Sequence, residues 1–356
     1  MWFITLLVLI FILGLLVLIH EFGHFIFAKK SGVHIYEFSI GMGPIILKKI
    51  GKDNIQYSIR ALPIGGYVQM AGEVSEDDKE IPKDKFMCNK TGFQRFLILV
   101  AGVTFNFLLA FVLLFVSALI WGSSALKPVV GEVAKGYPIA QAGIEKGDTI
   151  LAINNKKVRT WDKAQILLNL KTKNDYYTFK VKKVNGDIKE YKVKPKKETV
   201  DNQERKVFGI QVDTKKEYGF IPAIKYSVLK FGSVINSMAV VIVNLFTGHL
   251  GINALSGPVG IYGVVGQSIT AGIQQIIYLI AFLSINLGFI NVLPFPAFDG
   301  GRILFLIIEK IKGSPVNAKV ENMFHTVGFI LLMLLMVYIT LQDIIKLFWQ
   351  NNFFLL

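Results

Sequence analysis

The chain has 356 residues, of which 53% are hydrophobic and 18% charged, and its mean hydropathy is positive. That balance excludes an ordinary soluble domain and places the chain in the membrane class. The net charge of +14 needs no nucleic acid to explain it, because solvated lysine faces and anionic lipid suffice; the single cysteine, Cys88, excludes an intrachain disulfide and a thiolate zinc cage.

The first predicted element is a transmembrane helix within residues 1–28. Trp2 to Ile19 is an almost uncharged apolar run that would rise about 27 Å as a helix. It lacks the basic start and small-residue cleavage site of a signal peptide. The run ends in His20-Glu21-Phe22-Gly23-His24. Residues four apart share one face of a helix, so His20 and His24 can both reach one metal ion. Glu21, beside them, can take a proton from an attacking water, which is the arrangement of a zinc hydrolase. The alternative is a pair of interfacial histidines at a helix end, but ligand-type side chains at membrane depth are costly and usually retained for chemistry.

Residues 29–92 form a predicted cytoplasmic or membrane-re-entrant β loop. His34 to Ile40 alternates, passes Gly41-Met42-Gly43-Pro44, and alternation resumes near Ile55 to Ile59 and Tyr67 to Met70. The second transmembrane helix, residues 93–122, contains the apolar run Phe96 to Trp121 and the amide Asn106.

From 125 to 198 the pattern becomes that of a small α+β domain. Strands are expected at Pro128 to Val133, Thr149 to Ile153, Tyr177 to Val184 and Ile188 to Val193, with helices at Pro138 to Ala142 and Asp162 to Leu170. The last two strands flank Asn185-Gly186, a strong hairpin signal. These strands and two helices make a small, partly open barrel. The stretch Gly136 to Asp148, with Gly143, Gly147 and Asp148, resembles the signature of PDZ domains in bacterial membrane proteases. Such a domain binds an extended peptide at a sheet edge; a spacer that limits access is the alternative.

Residues 199–275 are expected to be a linker and an amphipathic helix. Ile221 to Leu250 carries Lys225, Lys230, Asn236, Asn244 and His249 and should lie on or partly in the membrane. The third transmembrane helix, 276–312, and the fourth, 325–348, bring the expected spans to four. Lysines and arginines after the first span and between the third and fourth mark those loops as cytoplasmic, which places the 125–198 domain outside.

Two histidines leave zinc short of a third protein ligand. The third span runs inward like the first and ends in Asn291-Val-Leu-Pro294-Phe-Pro296-Ala-Phe-Asp299-Gly300-Gly301-Arg302, at the depth of His20. Pro294 and Pro296 break the helix there. Asp299 offers an oxygen ligand on that irregular segment; taken alone it could also be an ordinary helix cap.

Together these features resemble the site-2 protease family of intramembrane zinc metalloproteases, in its bacterial branch with a PDZ domain. The resemblance covers nearly the whole chain and includes Leu62-Pro-Ile-Gly65-Gly66-Tyr67-Val68, Ala101-Gly102 with Asn106, and Ser256-Gly257-Pro258-Val259-Gly260. It implies a polytopic helical protein of the bacterial inner membrane, with zinc held by His20, His24 and Asp299 and Glu21 as catalytic base. The expected substrates are single-span membrane proteins, such as anti-sigma factors and remnant signal peptides, cut near the cytoplasmic side. Phe298 and Val103 depart from the family's usual Leu and Pro, at apolar packing positions. In the family the β loop dips into the membrane beside the active site, where a free strand edge could pair with an unwound substrate. Gly41, Gly43, Gly65 and Gly66 are candidate substrate contacts there. Asn106 and Asn291 could hold substrate backbone or the oxyanion, or make interhelical hydrogen bonds. His34, His249 and His325 are assigned to structure or interfaces. The competing function is a non-enzymatic PDZ scaffold or zinc-handling membrane protein, but no repeated halves of a transporter are visible.

Overall fold

The computed structural model describes residues 2–73, 81–124, 126–170, 175–200, 203–213, 215–252 and 255–351. The chain divides into two compact units, Met1–Leu113 with Pro258–Tyr338, and Leu114–Gly257 with Ile339–Leu356.

The first unit is helical around a β hairpin. Its helices are α1 (Trp2–Lys30), the first part of α2 (Gly92–Trp121), α6 (Pro258–Ala271), α7 (Ile273–Val292), α8 (Asp299–Lys312) and most of α9 (Ala318–Asn351), and the hairpin is β1 (Ile35–Ile50) with β2 (Gln56–Met70). One apolar cluster joins Leu9, Ile12 and Leu16 of α1 to Val265, Leu279 and Ile280. The face of α1 one to three turns further on carries the histidines, and glycines let α2 approach it closely. A methyl group on Gly23 would lie 2.5 Å from the Ala101 carbonyl oxygen, and one on Gly102 would lie 2.5 Å from His24 Nε2.

The hairpin is more folded than two strands suggest. Phe38↔Val68, Ser39↔Tyr67 and Ile40↔Gly66 pair in opposite directions, whereas Phe38↔Tyr57, Ser39↔Ser58 and Ile40↔Ile59 rise together, and Lys48↔Ser58 pairs the far arm. The segments therefore lie side by side in the order 45–50, 56–60, 35–40, 66–70, and 66–70 is an outer edge. The buried Glu37 carboxylate locks the inner turn, accepting from Ser58 Oγ, from Tyr67 Oη at 2.9 Å and from Arg60 Nη2 at 2.9 Å on both oxygens. Burial pushes the Glu37 carboxyl up, but the hydrogen bonds from Ser58, Tyr67 and Arg60 outweigh it and hold the group below its ordinary value. Ile45, Ile46, Leu47 and Ile50 on the outer arm are exposed.

In the second unit, strands at Lys156–Lys157, Thr149–Ile153, Tyr177–Lys182 and Ile188–Val193 form one sheet in that order. Its core contains the fully buried Ile139, Ile144, Ile150, Ile153, Tyr177 and Phe179. The turn at Asn185-Gly186 closes as the composition predicts, with Gly186 at φ 96°. The short strand Ile210–Val212 pairs with Val130–Val133, which carries the domain past residue 198. A three-residue strand has no periodicity to announce it.

Among the described residues, five helices are long and apolar enough to cross a membrane: Trp2–Lys30, Gly92–Trp121, Phe220–Phe246, Ile273–Val292 and the Lys319–Lys346 stretch of α9. Length and composition thus admit a fifth span, α5 (Phe220–Phe246), where the lysines of the sequence suggested a surface helix. Its buried positions Ala223, Ser227, Lys230 and Val234 follow one helical face. There Lys230 Nζ meets both oxygens of Asp162 at 2.7 and 2.9 Å, and Ser233 Oγ bonds Asp162 at 2.7 Å and Thr160 at 2.9 Å. Asp162 and Thr160 are the first turn and N-cap of α4 (Trp161–Asn169).

Candidate metal centre

His20 and His24 point from α1 to the same spot, their rings edge to face at 4.8 Å between centroids. Asp299 comes to that spot because α7 stops at Val292 and the chain turns through Pro294 and Pro296 before α8 begins. Gly300 sits so close to the Val292 and Leu293 carbonyls that a β-carbon there would collide with them. The turn is bent by Ala297 at φ 71°, a conformation costing a non-glycine residue about 1–2 kcal/mol. The Ala297 N–H donates to His325 Nδ1 at 3.0 Å, which anchors the bend to α9. Phe298, not Asp299, is the N-cap of α8, and it makes no side-chain cap bond. Asp299 instead turns to the histidines.

The three ligand-type atoms converge. Asp299 Oδ2 is 3.0 Å from His20 Nε2 and 3.4 Å from His24 Nε2, and the two Nε2 atoms are 3.2 Å apart. Ligands about 2.0–2.1 Å from a tetrahedral zinc sit roughly 3.3 Å from one another, so the spacing fits the ion. The protonation pattern fits too. His24 Nδ1 lies 2.8 Å from the Ile98 carbonyl oxygen, which can only accept, so neutral His24 carries its hydrogen there and turns a bare Nε2 to the carboxylate. Asp299 Oδ2 is buried without a hydrogen-bond partner. Lone pairs facing one another across about 3 Å repel, and either a proton or a metal cation between them removes the repulsion.

A cavity of about 300 Å³ opens on this cluster, lined among others by Glu21, Asn291, Glu73 and Arg302 and by Val68 and Met70 of the hairpin edge. Glu21 Oε2 accepts from the Val68 N–H at 3.2 Å, so the outer edge of 66–70 faces that carboxylate. Arg302, one turn beyond Asp299, donates to Glu73 Oε1 at 2.5 Å and ties the end of the hairpin to α8.

Of the residues proposed from sequence as substrate contacts, Asn291 lines the cavity. Asn106 is fully buried and its side-chain nitrogen lies 3.2 Å from His20 Nδ1. Gly65 and Gly66 lie at the start of the 66–70 edge, whereas Gly41 and Gly43, at φ 85° and 84°, make the bend between the two arms of β1. Gly143, at φ 86°, and Gly147, at φ 90°, belong to the turn closed by the buried Asp148, which accepts from the Glu145 N–H at 2.8 Å and from Lys183 Nζ at 2.9 Å. Sequence reasoning missed Glu73, Arg302 and the roles of Ala297 and His325. Only Arg302 carried a signal, its place one helical turn after Asp299.

Residues 8–335 match Peptidase family M50. The chain is 32% identical to the zinc metalloprotease RasP of Bacillus licheniformis, covering 97% of this chain and 99% of that protein. It is 36% identical to a protein of Fusobacterium nucleatum that bears a zinc metalloprotease name, over 97% of this chain and 99% of the other. A similarly named protein of Clostridium acetobutylicum is 35% identical, over 97% and 98% respectively.

Proposed function

Because the chain belongs to peptidase family M50 and is a membrane zinc metalloprotease, we propose that it cuts transmembrane segments of single-span proteins within the bilayer, near the cytoplasmic face. The observation that carries this reading is the convergence of His20, His24, Asp299 and Glu21 at the end of an apolar helix, on a cavity walled by a strand edge. His20, His24 and Asp299 would hold the zinc, and Glu21 would accept the proton of the attacking water and pass it to the leaving amine. When bound, zinc supplies Lewis acidity toward the scissile carbonyl.

A helical substrate hides its carbonyls in hydrogen bonds, so it must unwind before attack. The 66–70 edge offers backbone groups to replace those the substrate loses. The exposed apolar arm 45–50 supports a hairpin that dips into lipid beside the site. Substrates of this form include anti-sigma factors and remnant signal peptides, in regulated intramembrane proteolysis.

Four spans fit the packing better than five. In its first half, one face of α5 is held by a polar cluster of Lys230 and Ser233 with Asp162 and Thr160 of the small domain, which is costly to carry into hydrocarbon. The remaining turns, roughly 13 residues and about 20 Å, fall short of a core about 30 Å thick. The basic loops favour a metal centre near the cytoplasmic side of the inner membrane, with the small domain outside. We read that domain as PDZ-like, with its groove of about 930 Å³ between α4 and the 130–133 and 206–211 segments able to take an extended peptide.

Replacing Glu21 with Gln should leave zinc bound while abolishing cleavage of a single-span substrate in detergent or vesicles. Cleavage retained by that variant would refute the assignment.

A further inference from the structure

The two histidines are not held alike. Ile98 fixes the tautomer of His24, because a carbonyl leaves Nδ1 no choice but to donate. His20 must adopt the same tautomer for its Nε2 to join His24 and Asp299 around one cation. Its Nδ1 lies 3.2 Å from the Asn106 side-chain nitrogen, which would then set donor against donor. At the same residue, Asn106 Oδ1 is buried and has no partner.

An amide's oxygen and nitrogen occupy nearly the same volume, and their placement is decided by the hydrogen-bond network. Turning the Asn106 amide over answers both difficulties at once. The oxygen then accepts from His20 Nδ1–H, and the NH₂ moves to where the oxygen met no donor. The position itself is fixed from the backbone, since the Asn106 carbonyl accepts from Ser284 Oγ of α7 at 2.8 Å.

We infer that Asn106 is a positioning residue of the metal centre: its side-chain carbonyl holds the His20 Nδ1–H and thereby presents Nε2 to zinc. This rests on the zinc reading above and gives Asn106 a different task from substrate or oxyanion binding. Its side chain is fully buried behind His20 and does not line the cavity. Partners of this kind orient the ring and raise its basicity, and their loss costs about 10–100-fold in metal affinity.

The test measures zinc affinity of the full-length protein in detergent by chelator competition, for wild type, Asn106→Leu, Asn106→Asp and His20→Ala. Asn106→Leu keeps the volume and removes the acceptor, and should bind zinc about 10–100-fold more weakly. Asn106→Asp keeps an acceptor for Nδ1–H and should bind zinc at least as tightly as wild type. An Asn106→Leu protein within twofold of wild type, while His20→Ala loses zinc, overturns the inference and leaves the metal centre standing. Zinc affinity indifferent to His20→Ala removes the centre and the inference with it. If Asn106→Leu does not fold, a tenfold loss of zinc affinity in folded Asn106→Asp is equally decisive against it.

Discussion

Gly102→Ala is the sharpest probe of how the helices build the metal centre, because it adds one methyl group and no polarity. That carbon would lie 2.5 Å from His24 Nε2 and 2.8 Å from His20 Cε1, against the roughly 3.5 Å that non-bonded heavy atoms keep. Either α2 withdraws by about 1 Å or the imidazoles turn. Withdrawal is opposed by the backbone contact of Gly23 with Ala101, so the rings are expected to yield. A misplacement of about 1 Å at a reacting centre costs about 10²-fold in rate, or roughly 2.7 kcal/mol of transition-state stabilisation. Alanine is the better helix former by about 1 kcal/mol, which offsets part of the overpacking cost of about 1–3 kcal/mol; global unfolding should therefore change little. The assay pairs cleavage of a single-span substrate with chelator competition for zinc. Gly263→Ala serves as the control, since a methyl there meets nothing within 4 Å. The reasoning fails if Gly102→Ala keeps both zinc affinity and cleavage within twofold of wild type.

The Glu73–Arg302 pair should show a coupling energy of about 1–2 kcal/mol in a double-mutant cycle with alanine, followed by thermal unfolding of the full-length protein. That is below the value for a fully buried pair because the Arg302 side chain is 35% exposed, and coupling under about 0.3 kcal/mol would show that the hairpin is not braced to α8 through it. Ala297→Gly should raise thermal stability by removing a left-handed strain of about 1 kcal/mol; a lower melting temperature would mean that the bend is held by something other than the anchor to His325.

What the sequence made legible was local. Histidines four apart on an apolar run share a face in any helix, and the two prolines five and three residues before Asp299 break the next one wherever it packs. The alternation of residues 34–40 and 67–70 likewise announced strands. Their order was not legible, since the placing of 56–60 between the two arms of β1 depends on Glu37, Ser58 and Arg60 meeting through space. The same holds for Ala297 and His325, 28 residues apart, and for Glu73 and Arg302, 229 apart. For α5, hydropathy and packing point in different directions. Its composition passes as a span, whereas the ion pair of Lys230 with Asp162 ties one of its faces to the small domain.

The metal centre is thus assembled from parts that no single element could hold. Periodicity of α1 sets the two histidines, the Ile98 carbonyl of α2 fixes one ring, the strained turn before α8 delivers the carboxylate, and the hairpin edge meets the base through Val68. Each part is braced against another by a contact that leaves little room to move: Gly23 on Ala101, Gly300 on the end of α7, Arg302 on Glu73. Such a site tolerates little drift between helices, yet the proposed function needs a substrate strand to enter beside Glu21. The element best placed to yield is the hairpin. Its contact with the base is one backbone hydrogen bond of 3.2 Å, weaker than the bonds that lock Glu37 inside it. A strand pairing with the 66–70 edge, as the proposed function requires, would compete with that single bond and leave the histidines and Asp299 where the helices put them.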